Sequence, residues 1–195
     1  MASLASFTAR PTLWAVALLL AVVGAALRPG VPAADPQPPP LGMPAPEFTH
    51  VQPQDWLQSP PLRLADLRGQ VLLLDVWTFD CWNCYRSFPW LNALQARLGP
   101  QGLRVIGIHS PEFERERDPA AVARKMAEFG LQHPVMLDSD FSYWRALGNR
   151  YWPAWYLVDR QGRIRGRHVG EMHEGDARAQ RIEDELRVLL AERPG

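Results

Sequence analysis

The chain's two cysteines, Cys81 and Cys84, stand two residues apart, between an apolar run and a segment with helical spacing. Val71-Leu-Leu-Leu-Asp-Val-Trp77 is short, apolar and bounded by Gly69, so it reads as a strand buried on both faces. From Tyr85 to Leu98, residues Leu91, Leu94 and Leu98 recur at helical spacing, and Gly99-Pro100 ends the run. Pro89 lies inside that helix and predicts a kink. A Cys-X-X-Cys at a strand-to-helix turn presents its first sulfur to unpaired N–H groups and the positive end of the helix. Both stabilise thiolate and lower the Cys81 pKa below the free value of about 8.5. Cys84, a turn further in, is more covered and within reach of a mixed disulfide on Cys81. The chemistry this supports is dithiol–disulfide exchange, which needs no cofactor. Two other readings compete: an inert short-loop disulfide, and half of a zinc site. The zinc reading needs two histidines, and none lies nearby in sequence. Two cysteines also exclude a multi-disulfide scaffold and a four-thiolate zinc site.

Past this turn, strand and helix patterns alternate. Leu103 to His109 is a second strand. Asp118 can cap a helix running to Phe129, with Pro119 in its first turn and Gly130 beyond its end. Val135 to Leu137 is a short strand, Phe141 to Leu147 a brief helix and Ala154 to Val158 another strand. Asp159 to Gly162 turns into a strand over Ile164 to Val169. Asp176 to Leu190 is helical, with Ile182, Leu186, Leu189 and Leu190 on one face. Upstream, Phe48 to Leu67 predicts an edge strand or hairpin, Leu62 to Asp66 leading into a helical turn. The pattern predicts an α/β class: a central mixed, mainly parallel sheet flanked by helices on both faces, with an N-terminal β-hairpin extension. A length of 195 residues fits one domain with appendages.

The appendages are at the N-terminus. No charge interrupts Pro11 to Leu27, which Arg10 and Arg28 bracket. A membrane span needs about 17 or more apolar residues and a signal-peptide core about 7–15. Residues 1–28 are therefore expected to be an uncleaved membrane anchor, in preference to a signal cleaved near Val31-Pro32-Ala33. Eight prolines between residues 29 and 46 predict an extended spacer ahead of a globular domain over 47–195. Export suits the cysteines, because disulfides persist outside the cytosol. The charge is balanced, with 21 basic against 21 acidic residues, and only Lys125 of the basic set is a lysine. Without residues 1–28 the count is 19 against 21. Nucleic-acid binding, which calls for a basic excess, is excluded.

Several segments together carry a family resemblance. They are Leu74-Asp-Val-Trp77, Cys81-Trp-Asn-Cys84, Phe88-Pro89, Val105-Ile-Gly-Ile-His-Ser-Pro-Glu-Phe113 and Phe141 through Asp159, above all Gly148-Asn-Arg-Tyr-Trp-Pro-Ala154. Ala45-Pro-Glu-Phe48 and Leu64-Ala-Asp-Leu-Arg-Gly69 resemble the first hairpin of the same family. Over about residues 41–173 the chain resembles thioredoxin-fold proteins of the TlpA/ResA-like family, most closely DipZ-type thioredoxin domains. The resemblance implies a thioredoxin-like fold and assigns roles. Asp75 matches the buried acid that accepts the Cys84 proton, its pKa raised by desolvation, although a strand-end carboxyl can equally make a structural hydrogen bond. Pro153 matches the cis-proline facing the cysteines, which exposes the Trp152 backbone to pair with an extended substrate segment; otherwise it is an ordinary trans loop proline. Trp77, Trp82 and Trp152 are expected to border the cysteines, where aromatics form an apolar docking face, although core support is the favoured role for Trp77. Glu112 and His109 fall where a strand ends beside the site, to tune the thiolates or touch a partner, or simply as loop residues. The run from Glu112 to Asp118 reads as charged surface. Where ResA-like members carry an acid three residues after the second cysteine, this chain has Ser87.

The function this implies is a membrane-tethered, periplasmic thiol–disulfide oxidoreductase. It would act on protein thiols and disulfides, as in cytochrome c maturation, and draw electrons from a DsbD-like membrane donor. The opposite polarity, oxidation of exported thiols, is the alternative. A non-enzymatic tethered binding module is a third reading. A peroxidase fits poorly, because the leading cysteine sits in Cys-X-X-Cys and not behind a peroxidatic motif.

Overall fold

A seven-residue run with one charge, hydrogen-bonded on both edges, belongs at the centre of a sheet, and β2 (Val71–Trp77) is buried along its whole length there. The computed structural model describes residues 37–193. The expected anchor over 11–27, the cleavage motif Val31-Pro32-Ala33 and the spacer up to residue 36 lie outside the described residues. Among the described residues no helix is long and apolar enough to cross a membrane. Before β2 comes β1 (Trp56–Leu57); after it come α1 (Trp82–Leu98), β3 (Leu103–His109), α2 (Pro119–Phe129) and β4 (Val135–Leu137). Then follow α3 (Ser142–Ala146), β5 (Ala154–Val158), β6 (Ile164–Val169) and α4 (Ala177–Ala191).

The sheet order is β1-β4-β3-β2-β5-β6. β2, β3 and β4 run parallel, while β5, β6 and β1 pair antiparallel with their neighbours. Side chains alternate across β2, so Val71, Leu73 and Trp77 face α1, α2 and α4, meeting Phe88, Leu91, Val122, Met126 and Ile182. Leu72, Leu74 and Val76 face the other way, onto Tyr143, Leu147, Phe48 and Trp56. Two edge-to-face aromatic pairs lock the first face, Trp77–Phe88 at 5.4 Å and Trp90–Trp155 at 5.1 Å between centroids. Each such pair contributes about 0.5–1.5 kcal/mol beyond its buried area.

Most element bounds follow the sequence signals. α2 begins with the Asp118 carboxylate accepting from Ala120 N–H at 3.0 Å and ends at Gly130 with φ +68°. α1 starts at Trp82 with Cys81 as its N-cap, at the turn expected to open the helix and three residues ahead of the Tyr85–Leu98 stretch read from apolar spacing. The helix runs on through Pro89, which removes one backbone donor from its interior.

The N-terminal extension differs from a hairpin. The segment crosses one face of the sheet as a strap. At one edge Gly42 N–H donates to Ile164 O at 2.7 Å, Ile164 N–H to Met43 O at 2.9 Å and Ala45 N–H to Gly162 O at 2.9 Å. Phe48 is then buried, and β1 pairs with β4 at the opposite edge. Pro44, Pro46, Pro53, Pro60 and Pro61 supply no N–H, so a long two-stranded ladder is unavailable to this stretch. Backbone hydrogen bonds tie Gly42, Met43 and Ala45 to the sheet edge ahead of Phe48. Gln37 and Pro38 also lie against Gly148 (φ +58°), where a Cβ would run into the Pro38 backbone.

Candidate active site

β2 ends at Trp77 and Thr78-Phe79-Asp80 turns the chain into α1, which places Cys81 as the N-cap of that helix. Cys81 and Cys84 form a disulfide with Cα atoms 5.2 Å apart. Cys84 N–H points at the Cys81 sulfur at 3.2 Å, so helix amides already face the atom that would carry a thiolate once the bond is reduced. Exposure separates the two: Cys81 is 9% exposed and Cys84 0%. Cys81 borders a cleft of about 350 Å³ lined by Asp80, Trp82, Asn83, Glu112, Arg150, Tyr151 and Trp152.

The far wall is the loop before β5, where the Trp152–Pro153 peptide is cis. Trp152 Nε1 donates to Ser110 O at 3.0 Å, and its ring packs on Trp144 at 4.3 Å. Ser110 ties the parts together: its N–H donates to Trp77 O at 3.0 Å and its hydroxyl to the buried Asp138 at 2.9 Å. The loop after β3, the end of β2 and the cis-proline loop are therefore held by one residue. Trp82 is 66% exposed and Tyr151 61%, giving the rim an aromatic surface.

Beneath the cleft, Asp75 faces the α1 side of β2, in step with Leu73 and Trp77. It is fully buried, and neither carboxylate oxygen has a hydrogen-bond partner among the described residues. Desolvation holds its carboxyl well above the usual carboxylate range. His109 is buried against Trp77 and Phe79, and burial lowers its pKa to about 3, so it stays neutral at ordinary pH.

Cys81, Trp82, Glu112, Trp152 and Pro153 thus come together around one cleft. Trp77 does not. Expected to border the cysteines, it is fully buried between Phe88 and His109 and presents nothing to a partner, because its odd-numbered position on β2 turns it under α1. Ser87, at the position of the family's acid, is also buried, donating to Asn83 O at 2.8 Å and accepting from Met172 N–H at 3.0 Å. Asp80, Asn83, Arg150 and Tyr151 line the cleft without having been singled out in sequence; only their closeness to the two motifs pointed to them. Glu116, read as charged surface, is buried. Its signal was spacing: it stands three residues after Phe113, where an acid caps a helical turn.

Such an arrangement lets Cys81 reach a partner's sulfur while Cys84 reaches only Cys81, and on this sheet it defines a thioredoxin-like thiol–disulfide oxidoreductase. Comparisons with known proteins bear on the same point. The Redoxin family profile matches residues 40–184, and the chain belongs to that family. It is 40% identical over 119 residues to Protein DipZ of Mycobacterium tuberculosis, covering 60% of this chain but 17% of that protein. The chain thus spans less than a fifth of the length of that relative. It is 28% identical to the thiol-disulfide oxidoreductase YkuV of Bacillus subtilis, over 78% of this chain and 97% of the relative. Among solved structures, a thiol:disulfide interchange protein DsbE from Chlorobium tepidum superposes with a TM-score of 0.66 at 25% identity, covering 78% of this chain and 99% of that one.

Proposed function

We propose that the protein is a membrane-tethered, extracytoplasmic reductase of disulfides in partner proteins. The observation that carries this is the unequal burial of the two sulfurs at an open, aromatic-rimmed cleft. In the reduced protein the Cys81 thiolate attacks one sulfur of the partner's disulfide. The partner's S–S bond breaks, a Cys81–partner disulfide forms, and the partner's other sulfur leaves as thiolate and takes a proton from water. Cys84 then passes its proton to the ionised form of Asp75, which burial makes a stronger base than an ordinary carboxylate, and attacks the Cys81 sulfur. The mixed disulfide breaks, the Cys81–Cys84 bond forms, and the partner's second sulfur leaves. Two electrons have passed to the partner. Trp82 and Trp152 hold its apolar flanks, Glu112 lies at the rim, and the backbone beside Pro153 pairs with its extended segment.

The two cysteines of this chain make one couple, which a DsbD-like membrane donor resets. Placement outside the cytosol is supported by the uncharged stretch over 11–27 and the proline-rich sequence after it. A role in cytochrome c maturation is what the resemblance to TlpA/ResA-like proteins implies.

Two measurements test the proposal. Titrated against glutathione or dithiothreitol, the full chain should show a reversible two-electron couple near about −270 mV. A value near about −120 mV would make it an oxidant of exported thiols instead. The Cys84→Ser variant should accumulate mixed disulfides through Cys81. A chain with no reversible couple that traps no partner is a binding module.

A further inference from the structure

The charged run after β3 contains one residue that does not face water. Glu116 is buried while Glu112, Phe113, Glu114, Arg115 and Arg117 around it are exposed. Its Oε2 accepts from the backbone N–H groups of Glu112 and Phe113, both at 2.6 Å, which closes the local turn over Glu114–Arg117. That cap needs only one oxygen. The other, Oε1, accepts from Asp80 N–H at 2.9 Å, and Asp80 belongs to the turn that delivers Cys81 to the head of α1. Arg115 adds an outer tie, its Nε donating to Asp80 Oδ2 at 2.5 Å. Accepting three N–H bonds, the Glu116 carboxyl thus joins the two loops, one oxygen on each, one peptide unit from Cys81.

We propose that Glu116 is a positioning residue for the Cys81–Cys84 couple, clasping the loop after β3 to the Cys81 turn and setting the couple's redox balance through its buried charge. The inference rests on the exchange reading above. Its sign follows from charge. The disulfide is neutral and indifferent to Glu116, whereas the reduced form carries a thiolate that a nearby buried carboxylate opposes. Glu116 therefore disfavours the reduced form and makes the couple more reducing. The same clasp fixes the cleft wall that carries Glu112 and Phe113.

The test is Glu116→Gln in the full chain, compared with Glu183→Gln. Glu183 is also buried and accepts from Trp90, Arg97 and Arg187, but on α4 and outside the cleft, so it reports the loss of a buried carboxylate without any tie to Cys81. The readouts are the glutathione equilibrium, the Cys81 thiolate titration by ultraviolet absorbance, and Tm. For a unit charge removed near the thiolate in an effective dielectric of about 20, the equilibrium constant should move about tenfold or more toward the reduced form. That corresponds to about 30 mV upward for a two-electron couple. The Cys81 titration should move to lower pH in step. Glu183→Gln should lower Tm and leave both redox readouts at wild-type values. If Glu116→Gln matches wild type within twofold in both while losing Tm as Glu183→Gln does, Glu116 is structural only and the proposal fails. Should Glu116→Gln not fold, Glu116→Asp keeps the charge but is a methylene too short to reach both loops. A drop of about tenfold in its rate of attack on a small disulfide is then expected, and an unchanged rate overturns the clasp. A wild-type chain without a reversible couple would instead sink the exchange reading itself.

Discussion

Replacing Asp75 with asparagine isolates what a buried, unpartnered carboxyl does to this fold. Below the ordinary carboxylate pKa of 3.8 the group is protonated whether the chain is folded or not, and it contributes no pH dependence. Above that value the unfolded chain loses the proton while the folded protein, whose Asp75 pKa lies well higher, keeps it. In this window the native state binds more protons than the unfolded state, so stability falls as pH rises. The slope is about 1.4 kcal/mol per pH unit until pH passes the raised pKa, where the loss levels off. Asparagine cannot ionise. The stability of Asp75→Asn relative to wild type should therefore climb by about 1.4 kcal/mol per pH unit, from near pH 4 until pH passes the raised pKa. The buried amide brings its own unpaired polar atoms, an offset of about 1–3 kcal/mol that does not change with pH, so the slope carries the test. Asp138, His109 and His133 also have shifted pKa values, but they are present in both proteins and cancel in the difference.

Urea unfolding of the two oxidised proteins across that range measures this directly, with the disulfide intact so that no thiol titrates. Parallel stability curves between about pH 4 and 6 would refute the reasoning, since they would mean that the Asp75 carboxyl is solvated or paired. The same pair of proteins tests the proton transfer. Loss of a positioned base slows a step by about 10²–10⁴-fold. Resolution of a mixed disulfide on Cys81 should slow by at least the lower figure in Asp75→Asn and lose its inflection at the raised pKa.

Two further substitutions probe the cleft and its floor. Trp82→Ala removes a ring that is mostly in water and meets only Tyr85 among the described aromatic contacts, so stability should stay within about 0.5 kcal/mol. KM for a protein disulfide should rise several-fold with kcat unchanged; an unaltered KM would remove Trp82 from the docking face. Gly107→Ala would put a Cβ 2.8 Å from Val135 Cγ2, 3.0 Å from Trp77 Nε1 and 3.2 Å from His133 Nε2. Such overpacking costs about 1–3 kcal/mol, and a melting experiment should show Tm lower by about 2–4 °C per kcal/mol.

The elements legible in the sequence share a local cause. β2 and β3 are runs buried on both faces, α2 carries its own cap, N1 proline and C-terminal glycine, and β6 follows a tight turn at Asp159–Gly162. Each is specified by residues within a few positions of its ends, so reading along the chain is enough. The strap over residues 42–57 was not legible as a strap. Its partners are Gly162 and Ile164 at one edge and Val135 and Met136 at the other, all more than 75 residues away, and prolines hide the alternation that would have marked a strand. The start of α1 is legible from the Cys-X-X-Cys turn and not from apolar periodicity, because the exposed first turn of a helix carries no apolar stripe.

The site divides along the same line, and the two acids show why. Asp75 stands out in sequence because it interrupts an apolar strand, so its burial can be read from its neighbours. Glu116 sits among Glu114, Arg115, Arg117 and Asp118, where composition points to water, yet it is buried. What buries it is the set of three N–H groups it satisfies, one of them 36 residues upstream. A backbone donor leaves no trace in composition or periodicity. Trp77 is the contrary case: its residue type suits a docking face, but strand parity turns it inward beneath α1, the core role favoured for it in the sequence. Residue type thus located the reacting sulfurs, whose chemistry is their own. For the groups around them, placement decides the role, and placement is set by partners that only the folded chain brings near.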